Sequence, residues 1–195
     1  MPESLPIIGQ PPGERADAAR NRQKILDVTR ELIAERGATR LSLDEVARAA
    51  NVGVGTVYRR FGDRSGLIYA LIDDNERRFQ AAFISGPPPI GPGAPLAVRL
   101  RAFLHALVDR ILDQEELFLL LEKGTGSSRY TGPYRVYHTH VATLLAPLRP
   151  EADVHYLADA LLAPVNAGLI SHQRAERGMT PEVIKSGLDD LLKLL

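Results

Sequence analysis

Residues 41–61 have the sequence LSLDEVARAANVGVGTVYRRF, and this stretch decides the fold of the N-terminal part of the chain. Its pattern predicts a first helix over residues 42–50 and a second helix over Val54–Phe61, joined by a turn at residues 51–53. Asn51 tolerates the left-handed conformation that ends a helix, and Gly53, which closes the turn, tolerates almost any conformation. Two short helices around such a turn predict a helix-turn-helix unit.

The first of these two helices carries several start signals. Ser42 is a suitable N-cap, because its hydroxyl can accept hydrogen bonds from backbone N–H groups that have no helical partner. Glu45, three residues later, predicts a capping box with Ser42. Leu41 and Val46 occupy the two positions of a hydrophobic staple. These signals agree that the helix begins at Ser42.

The second helix has an outer face without any acidic residue. The face consists of Val54, Gly55, Thr56, Tyr58, Arg59 and Arg60, whereas Val57 and Phe61 share the inward face. Exposed helix faces usually mix the two signs of charge. An acid-free face with two arginines and a tyrosine therefore favours contact with a polyanion.

Residues 20–71 resemble the DNA-binding domain of the TetR family of transcriptional repressors. The resemblance rests on RNRQKIL at 20–26, the glycine of ERG at Gly37, the stretch 41–61 and GDRSGL at 62–67. It implies an N-terminal three-helix helix-turn-helix DNA-binding domain and a C-terminal helical domain that binds a ligand and dimerises. The helical periodicity and the lack of alternating strand patterns likewise predict an all-α fold.

The resemblance also implies which residues contact DNA, since the recognition helix of such proteins lies in the major groove. The expected DNA-binding residues are Arg22, Ser42, Val54, Gly55, Thr56, Tyr58, Arg59, Arg60 and Arg64. Arg22 belongs to a basic segment that is either an arm along the minor groove or a solvated helix start; its cations are Arg15, Arg20, Arg22 and Lys24.

The segment after the recognition helix departs from the family pattern. Gly62 is expected to end the recognition helix, and Asp63 to cap the next helix. Arg64 takes a position where the family commonly has a lysine that touches phosphate. Gly66 stands where alanine is usual, and this change is expected to weaken the start of the helix.

The composition excludes several classes of protein. The 195 residues are 45% hydrophobic and 25% charged, with a net charge of +0 and no cysteine. Without cysteine there can be no disulfide, thiolate catalyst or zinc–cysteine site. We see no signal peptide, no membrane-length apolar run and no catalytic motif. We therefore expect a cytoplasmic protein that is not an enzyme, binds no cofactor or metal and does not enter a membrane.

Five regions are expected along the chain: a disordered tail (1–13), the DNA-binding domain (14–64), a connecting helix (65–84), a Pro/Gly-rich linker (85–95) and the effector-binding and dimerisation domain (96–195). Within the last region the apolar periodicity predicts a short helix at 114–122, a helix at 133–146, a long helix at 151–176 kinked after Pro164, and a final helix capped by Thr180.

The effector candidates are aromatic and polar residues of this last region: Phe103, Phe118, Tyr134, Tyr137, His138 and Asn166. Tyr130, Tyr134, Tyr137 and His138 follow a helical spacing, and TetR proteins commonly bind a small effector among such helices. The same spacing also suits an ordinary core. Asn166 interrupts an apolar face and needs a partner, which is either a ligand or a backbone group.

The last two helices are the candidates for dimerisation. Gly168 and Gly187 lie beside their apolar stripes and would permit close approach of helices. The resemblance implies a four-helix interface between two subunits, whereas the alternative is that both stripes fill the subunit's own core. The last stripe, which includes Leu188 and Leu191, is wide enough for both roles.

The resemblance as a whole implies a homodimeric repressor that binds a near-palindromic operator in double-stranded DNA and is released by a small-molecule effector. Two other functions stay open: an effector-independent DNA- or protein-binding adaptor on the same fold, and an enzyme carried by the C-terminal helices. The adaptor predicts no ligand-dependent loss of DNA binding, and the enzyme predicts substrate turnover.

Overall fold

The computed structural model describes residues 12–115, 117–118 and 132–194, and the regular structure in these ranges is entirely helical, as predicted. The elements are α1 (Pro12–Arg36), a 3-10 turn (Ala38–Arg40), α2 (Leu43–Ala49), α3 (Val54–Phe61), α4 (Arg64–Ser85), α5 (Leu96–Asp113), α6 (Pro133–Leu145), α7 (Val154–Leu162), α8 (Ala167–Arg177) and α9 (Pro181–Lys193). Most of the predicted tail (1–13), the apolar segment 114–122 beyond its first residues, and Tyr130 lie outside the described ranges. None of the described helices is both long and apolar enough to span a bilayer.

The chain forms two compact units, residues 1–75 and residues 76–195, and the division falls within α4. The proline- and glycine-rich segment at 85–95 joins α4 to α5 inside the second unit. Its Gly91 is buried, and a Cβ atom there would lie 1.9 Å from the Gly86 carbonyl oxygen. The segment is therefore a close-packed loop of the second unit.

The core of the first unit is built from apolar side chains of α1 to α4. They are Ile25, Leu26, Val46, Ala47, Val57, Phe61, Leu67 and Leu71, all buried. Polar groups also join α1 to α4: Arg30 donates to Asn75 Oδ1 at 2.8 Å and to Asp74 Oδ2 at 3.3 Å. These bonds involve two buried polar residues of α4, so the part of α4 up to Asn75 belongs to the first unit.

The turn of the helix-turn-helix has the predicted backbone. Asn51 has a φ of +51°, and Gly37 and Gly62 end α1 and α3 with φ values of +82° and +77°. The predicted capping box is wrong. Ser42 has the extended conformation of an N-cap, but its side chain makes no capping bond, and the Glu45 carboxylate accepts from Arg36 instead. A cation brought near by the fold thus competes successfully for the carboxylate that would have closed the box.

The start of α4 shows why a glycine stands at position 66. Asp63 caps the helix as predicted, since its Oδ1 accepts from the Gly66 N–H at 2.8 Å. A Cβ atom on Gly66 would lie only 2.0 Å from the Phe61 carbonyl oxygen at the end of α3. The expectation that Gly66 weakens this helix start is therefore reversed: the glycine allows α4 to approach the last turn of α3.

The predicted long helix at 151–176 is wrong, because the structure has two helices, α7 and α8, with a break at residues 163–166. Pro164 lacks the N–H that a continuous helix needs. Asn166 begins α8 as its N-cap: Oδ1 accepts from the Leu169 N–H at 2.8 Å, and Nδ2 donates to the Ala163 carbonyl at 3.0 Å. The partners of Asn166 are thus backbone groups.

The last helix presents its apolar residues to two different surroundings. Leu188 is only 3% exposed and belongs to the core of the second unit, whereas Val183 and Leu191 on the same helix are 48% and 42% exposed. Thr180 caps the helix as predicted, accepting from the Val183 N–H at 3.4 Å. Part of the stripe therefore fills the core, and another part is left uncovered in the single chain.

The half-buried His140 should make stability depend on pH. The His140 ring packs 4.4 Å from the Phe83 ring and 4.9 Å from the Phe103 ring, and burial, helped by the charge of Arg99, lowers the pKa of His140 to about 4. The unfolded chain binds this proton near an ordinary histidine pKa of about 6.5. The contribution of neutral His140 is therefore complete above that pH and lost as the pH falls towards 4.

We expect His140→Gln, which cannot titrate, to unfold with a shallower loss of stability between about pH 6.5 and 4 than the natural chain. The measurement is urea unfolding followed by circular dichroism at several pH values in this window. Equal slopes for the two proteins would show that His140 titrates alike in the folded and unfolded states.

Candidate functional site

Helix α3 presents the face that the sequence predicts. Val57 and Phe61 are buried in the first unit, while Val54 and Tyr58 are 43% and 48% exposed. A Cβ atom on Gly55 would meet no atom within 4 Å, so the backbone is open to close approach at that point. The exposed side of α3 is therefore a surface with apolar, aromatic and basic groups and no acid.

Two residues of this face are bonded to each other. Arg59 is exposed and donates from Nη2 to Thr56 Oγ1 at 3.3 Å. The two residues lie one turn apart on the outer side of α3. Thr56 and Arg59 therefore form a linked pair of hydrogen-bonding groups, with the hydroxyl oriented by the guanidinium.

Three other arginines of the predicted set contact their own unit. Arg60 donates to the Ala18 carbonyl, Arg64 donates from Nη1 to the Thr39 carbonyl at 2.6 Å, and Arg22 Nη1 lies 3.6 Å from an oxygen of Asp74. A guanidinium has five N–H donors, so each keeps donors for a second partner. These contacts orient the three side chains before any ligand arrives.

The basic segment near the N-terminus is helical. Arg20, Arg22 and Lys24 lie within α1. Of the two alternatives for this basic segment, the structure therefore shows part of a helix and not a separate arm. Arg20 pairs with Asp17 on the exposed side of the same helix. Ser42, the remaining predicted residue, is exposed at the start of α2.

The predicted effector residues divide between two places in the second unit, with Asn166 apart from both. Phe103, Phe118 and Tyr137 belong to or pack against the core. Tyr134 packs against the core as well, but its hydroxyl donates to Asp159 Oδ1 at 2.5 Å, and His138 Nε2 lies 3.6 Å from that atom. The polar groups of Tyr137, Tyr134 and Asn166 therefore bond to different partners.

The first of these places contains a buried polar cluster that the sequence reasoning missed. Arg110 is 7% exposed; its Nη2 lies 2.8 Å from Glu76 Oε2, and its Nη1 donates to the Tyr137 hydroxyl. Tyr137 in turn donates to Glu76 Oε2 at 2.5 Å. Burial raises the pKa of Tyr137 above its ordinary value, so the hydroxyl keeps its proton. In the sequence, the cluster could have been found from Arg110, a charged residue on the apolar stripe of α5.

The arrangement of acidic and histidine residues does not suggest a metal centre. Across the part of the chain that the structure describes, no three histidine, aspartate or glutamate side chains come close enough together to hold a metal ion. His138 stacks on His155 with ring centroids 5.4 Å apart, and its Nε2 lies 3.2 Å from the His155 carbonyl oxygen.

The helix-turn-helix also matches known proteins by sequence. Residues 25–71 match the model of the family described as bacterial regulatory proteins, tetR family. This match includes α2, α3 and the start of α4. Residues 25–71 therefore form a DNA-binding domain of the tetR family. The family assignment rests on the first unit, where the exposed face of α3 lies.

Relatives and solved structures extend this likeness. The HTH-type transcriptional regulator AcrR of Shigella flexneri is 33% identical over 113 residues, which are 54% of this chain and 49% of that protein. The chain thus spans about half the length of this curated relative. A transcriptional regulator of the TerR/AcrR family from Aquifex aeolicus is 23% identical, with a TM-score of 0.62 over 89% of this chain and 98% of that one.

A second solved structure is NalD, the secondary repressor of the MexAB-OprM multidrug efflux pump in Pseudomonas aeruginosa. It is 21% identical, with a TM-score of 0.55 over 91% of this chain and 96% of NalD. At such low identity, the two solved structures establish that the fold is shared across both units, and nothing about ligands follows from them.

Proposed function

We propose that this tetR-family chain is a sequence-specific DNA-binding repressor that acts as a homodimer in the cytoplasm and leaves its operator when a small effector binds the second unit. The observation that carries the proposal is the acid-free exposed face of α3, held in a helix-turn-helix by the buried Val57 and Phe61. The repressor role is supported by NalD, which is a repressor of the same fold.

The geometry of the first unit suggests how DNA is contacted. With α3 in the major groove, Thr56 and Arg59 would reach base edges as a linked pair, and Val54 would meet a thymine methyl group. Tyr58 would lie on the sugar–phosphate backbone. Two subunits would place their recognition helices about 34–36 Å apart, or a multiple of this distance, on a near-palindromic operator.

The other predicted residues would position the domain rather than identify bases. Arg60 and Arg64 are already oriented by backbone carbonyls of the first unit, and each can give its remaining donors to phosphate. Ser42 can do the same with its exposed hydroxyl, and Gly55 allows the backbone to approach the groove. Arg22 lies beside Asp74, so it would contribute least to phosphate binding.

We expect Thr56→Ala and Arg59→Ala each to reduce specific operator affinity by about 1–3 kcal/mol and to relax base preference at the same position. Because the two side chains are bonded, the double variant should cost less than the sum of the single variants. Arg64→Ala should instead weaken binding to all DNA sequences equally. It should also reduce the slope of log affinity against log salt concentration by about one unit. Arg135→Ala, an exposed arginine of α6 outside the two candidate dimer helices, is the control and should change neither quantity.

The experiment begins with selection of bound fragments from random DNA, with and without metabolite extract. Each variant is then titrated against the selected operator and a scrambled duplex at several salt concentrations. If Thr56→Ala weakened both duplexes equally while Arg64→Ala changed base preference, the docking would be the reverse of that proposed. DNA binding that no extract disturbs would favour the effector-independent adaptor.

A further inference from the structure

Arg110 has one nitrogen without a partner. Its two Nη atoms bond to Glu76 and Tyr137, but the buried Nε has no hydrogen-bond partner in the described ranges of the chain. A buried donor that is left unsatisfied costs free energy, so each such group in a folded protein calls for an acceptor. The Arg110 side chain is only 7% exposed and therefore lies inside the second unit.

The immediate surroundings of this nitrogen are aromatic. The Arg110 guanidinium carbon lies 5.1 Å from the ring centroid of Phe79 and 5.1 Å from that of Phe118. Phe118 is half-buried, whereas the rings behind Phe79 belong to the core. A flat aromatic molecule can pack against these rings in the offset or edge-to-face arrangements that aromatic pairs prefer.

The charge of the cluster limits the acceptor. Glu76 already neutralises Arg110 at 2.8 Å, and Tyr137 stays protonated because it is buried. A carboxylate ligand would bring a second negative charge beside Glu76 in surroundings of low dielectric constant, and like charges repel strongly there. A cation would have to displace Arg110 from Glu76. A neutral oxygen acceptor satisfies Nε without either cost.

We propose that the second unit binds a neutral aromatic compound that carries a carbonyl oxygen, and that Arg110 Nε donates a hydrogen bond to this oxygen. The inference rests on the proposed function, since it names the chemical class of the effector. Glu76 is the specificity-determining residue: its carboxylate keeps the site neutral and so rejects acids of the same shape.

The test compares four naphthalene probes substituted at the same ring position: acetylnaphthalene, ethylnaphthalene, naphthoate and naphthylmethylamine. Binding to the full chain is measured by equilibrium dialysis. We expect acetylnaphthalene to bind about tenfold more tightly than ethylnaphthalene, which lacks the acceptor, and than the two charged probes. Equal affinities for the acetyl and ethyl compounds, or tightest binding of naphthoate, would overturn the proposal.

The variant Glu76→Gln gives a sharper result. It leaves the positive charge of Arg110 uncompensated, so the preference should shift towards naphthoate by about tenfold or more. Tyr137→Phe, which keeps the Arg110–Glu76 pair, is the matched control and should preserve the order of the probes. If Glu76→Gln lowered the melting temperature without changing that order, the cluster would be merely structural. The comparison of the four probes on the natural chain tests the Arg110 site even if Glu76→Gln does not fold.

The two proposals fail in different ways. Release of operator DNA by metabolite extract, together with no discrimination among the probes, would contradict the Arg110 site and leave the repressor function intact. Tight binding of acetylnaphthalene, together with DNA binding that no extract weakens, would support the Arg110 site and contradict release by an effector.

Discussion

Leu191→Glu should give a folded monomer that binds operator DNA about 10²–10⁴ times more weakly than the natural chain, because two linked half-site contacts become one. Leu191 and Val183 form the uncovered part of α9, so a charge there leaves the core of the second unit intact. In a dimer interface the same charge would be buried without a partner, which is costly. Light scattering gives the mass, and titration of the operator gives the affinity.

Leu188→Glu on the same helix is the matched comparison. Leu188 is 3% exposed within the core, so a glutamate there should destabilise the second unit itself by at least about 3 kcal/mol. The two variants add the same charge three residues apart but should differ in circular dichroism and melting temperature. A natural chain that is monomeric at micromolar concentration, or a Leu191→Glu variant that stays dimeric, would contradict the proposed interface.

Gly66→Ala should lower the free energy of unfolding by about 1–3 kcal/mol through overpacking. Helix propensity alone predicts the opposite, since alanine is about 1 kcal/mol better than glycine inside a helix. The new methyl group would lie 2.0 Å from the Phe61 carbonyl oxygen, so α4 and the end of the recognition helix would have to separate. We therefore also expect weaker operator binding.

Gly55→Ala is the control for this variant, because it lies in a helix of the same unit and its added Cβ atom meets nothing within 4 Å. It should be neutral or stabilising by about 0.5–1 kcal/mol. Urea unfolding of the full chain measures both changes. A Gly66→Ala variant as stable as Gly55→Ala would mean that α4 can shift at little cost.

Much of the local structure followed from the sequence alone. Asn51, Gly62 and Gly178 adopt the left-handed backbone at the ends of their helices, and Asp63 and Thr180 cap the following helices as expected. These features involve atoms within about four residues of each other, so the local sequence is sufficient to determine them. The inward and outward faces of α3 followed in the same way from helical periodicity.

Other features depended on which helices pack together. Glu45 had a local partner in Ser42 but bonds to Arg36, and Leu188 and Leu191 have similar positions in the apolar pattern but opposite surroundings. Periodicity gives the direction of a side chain on its helix, but it does not give the neighbour that the side chain will meet.

The polar cluster of the second unit shows this division most clearly. Glu76, Arg110 and Tyr137 come from α4, α5 and α6, and nothing local to any of them indicates the other two. The sequence by itself determined most of the helices, the caps at Asp63 and Thr180 and the exposed face of the recognition helix. Only the tertiary structure decided which charges are buried together, because a charge enters an apolar core only where packing brings its partner within hydrogen-bonding distance.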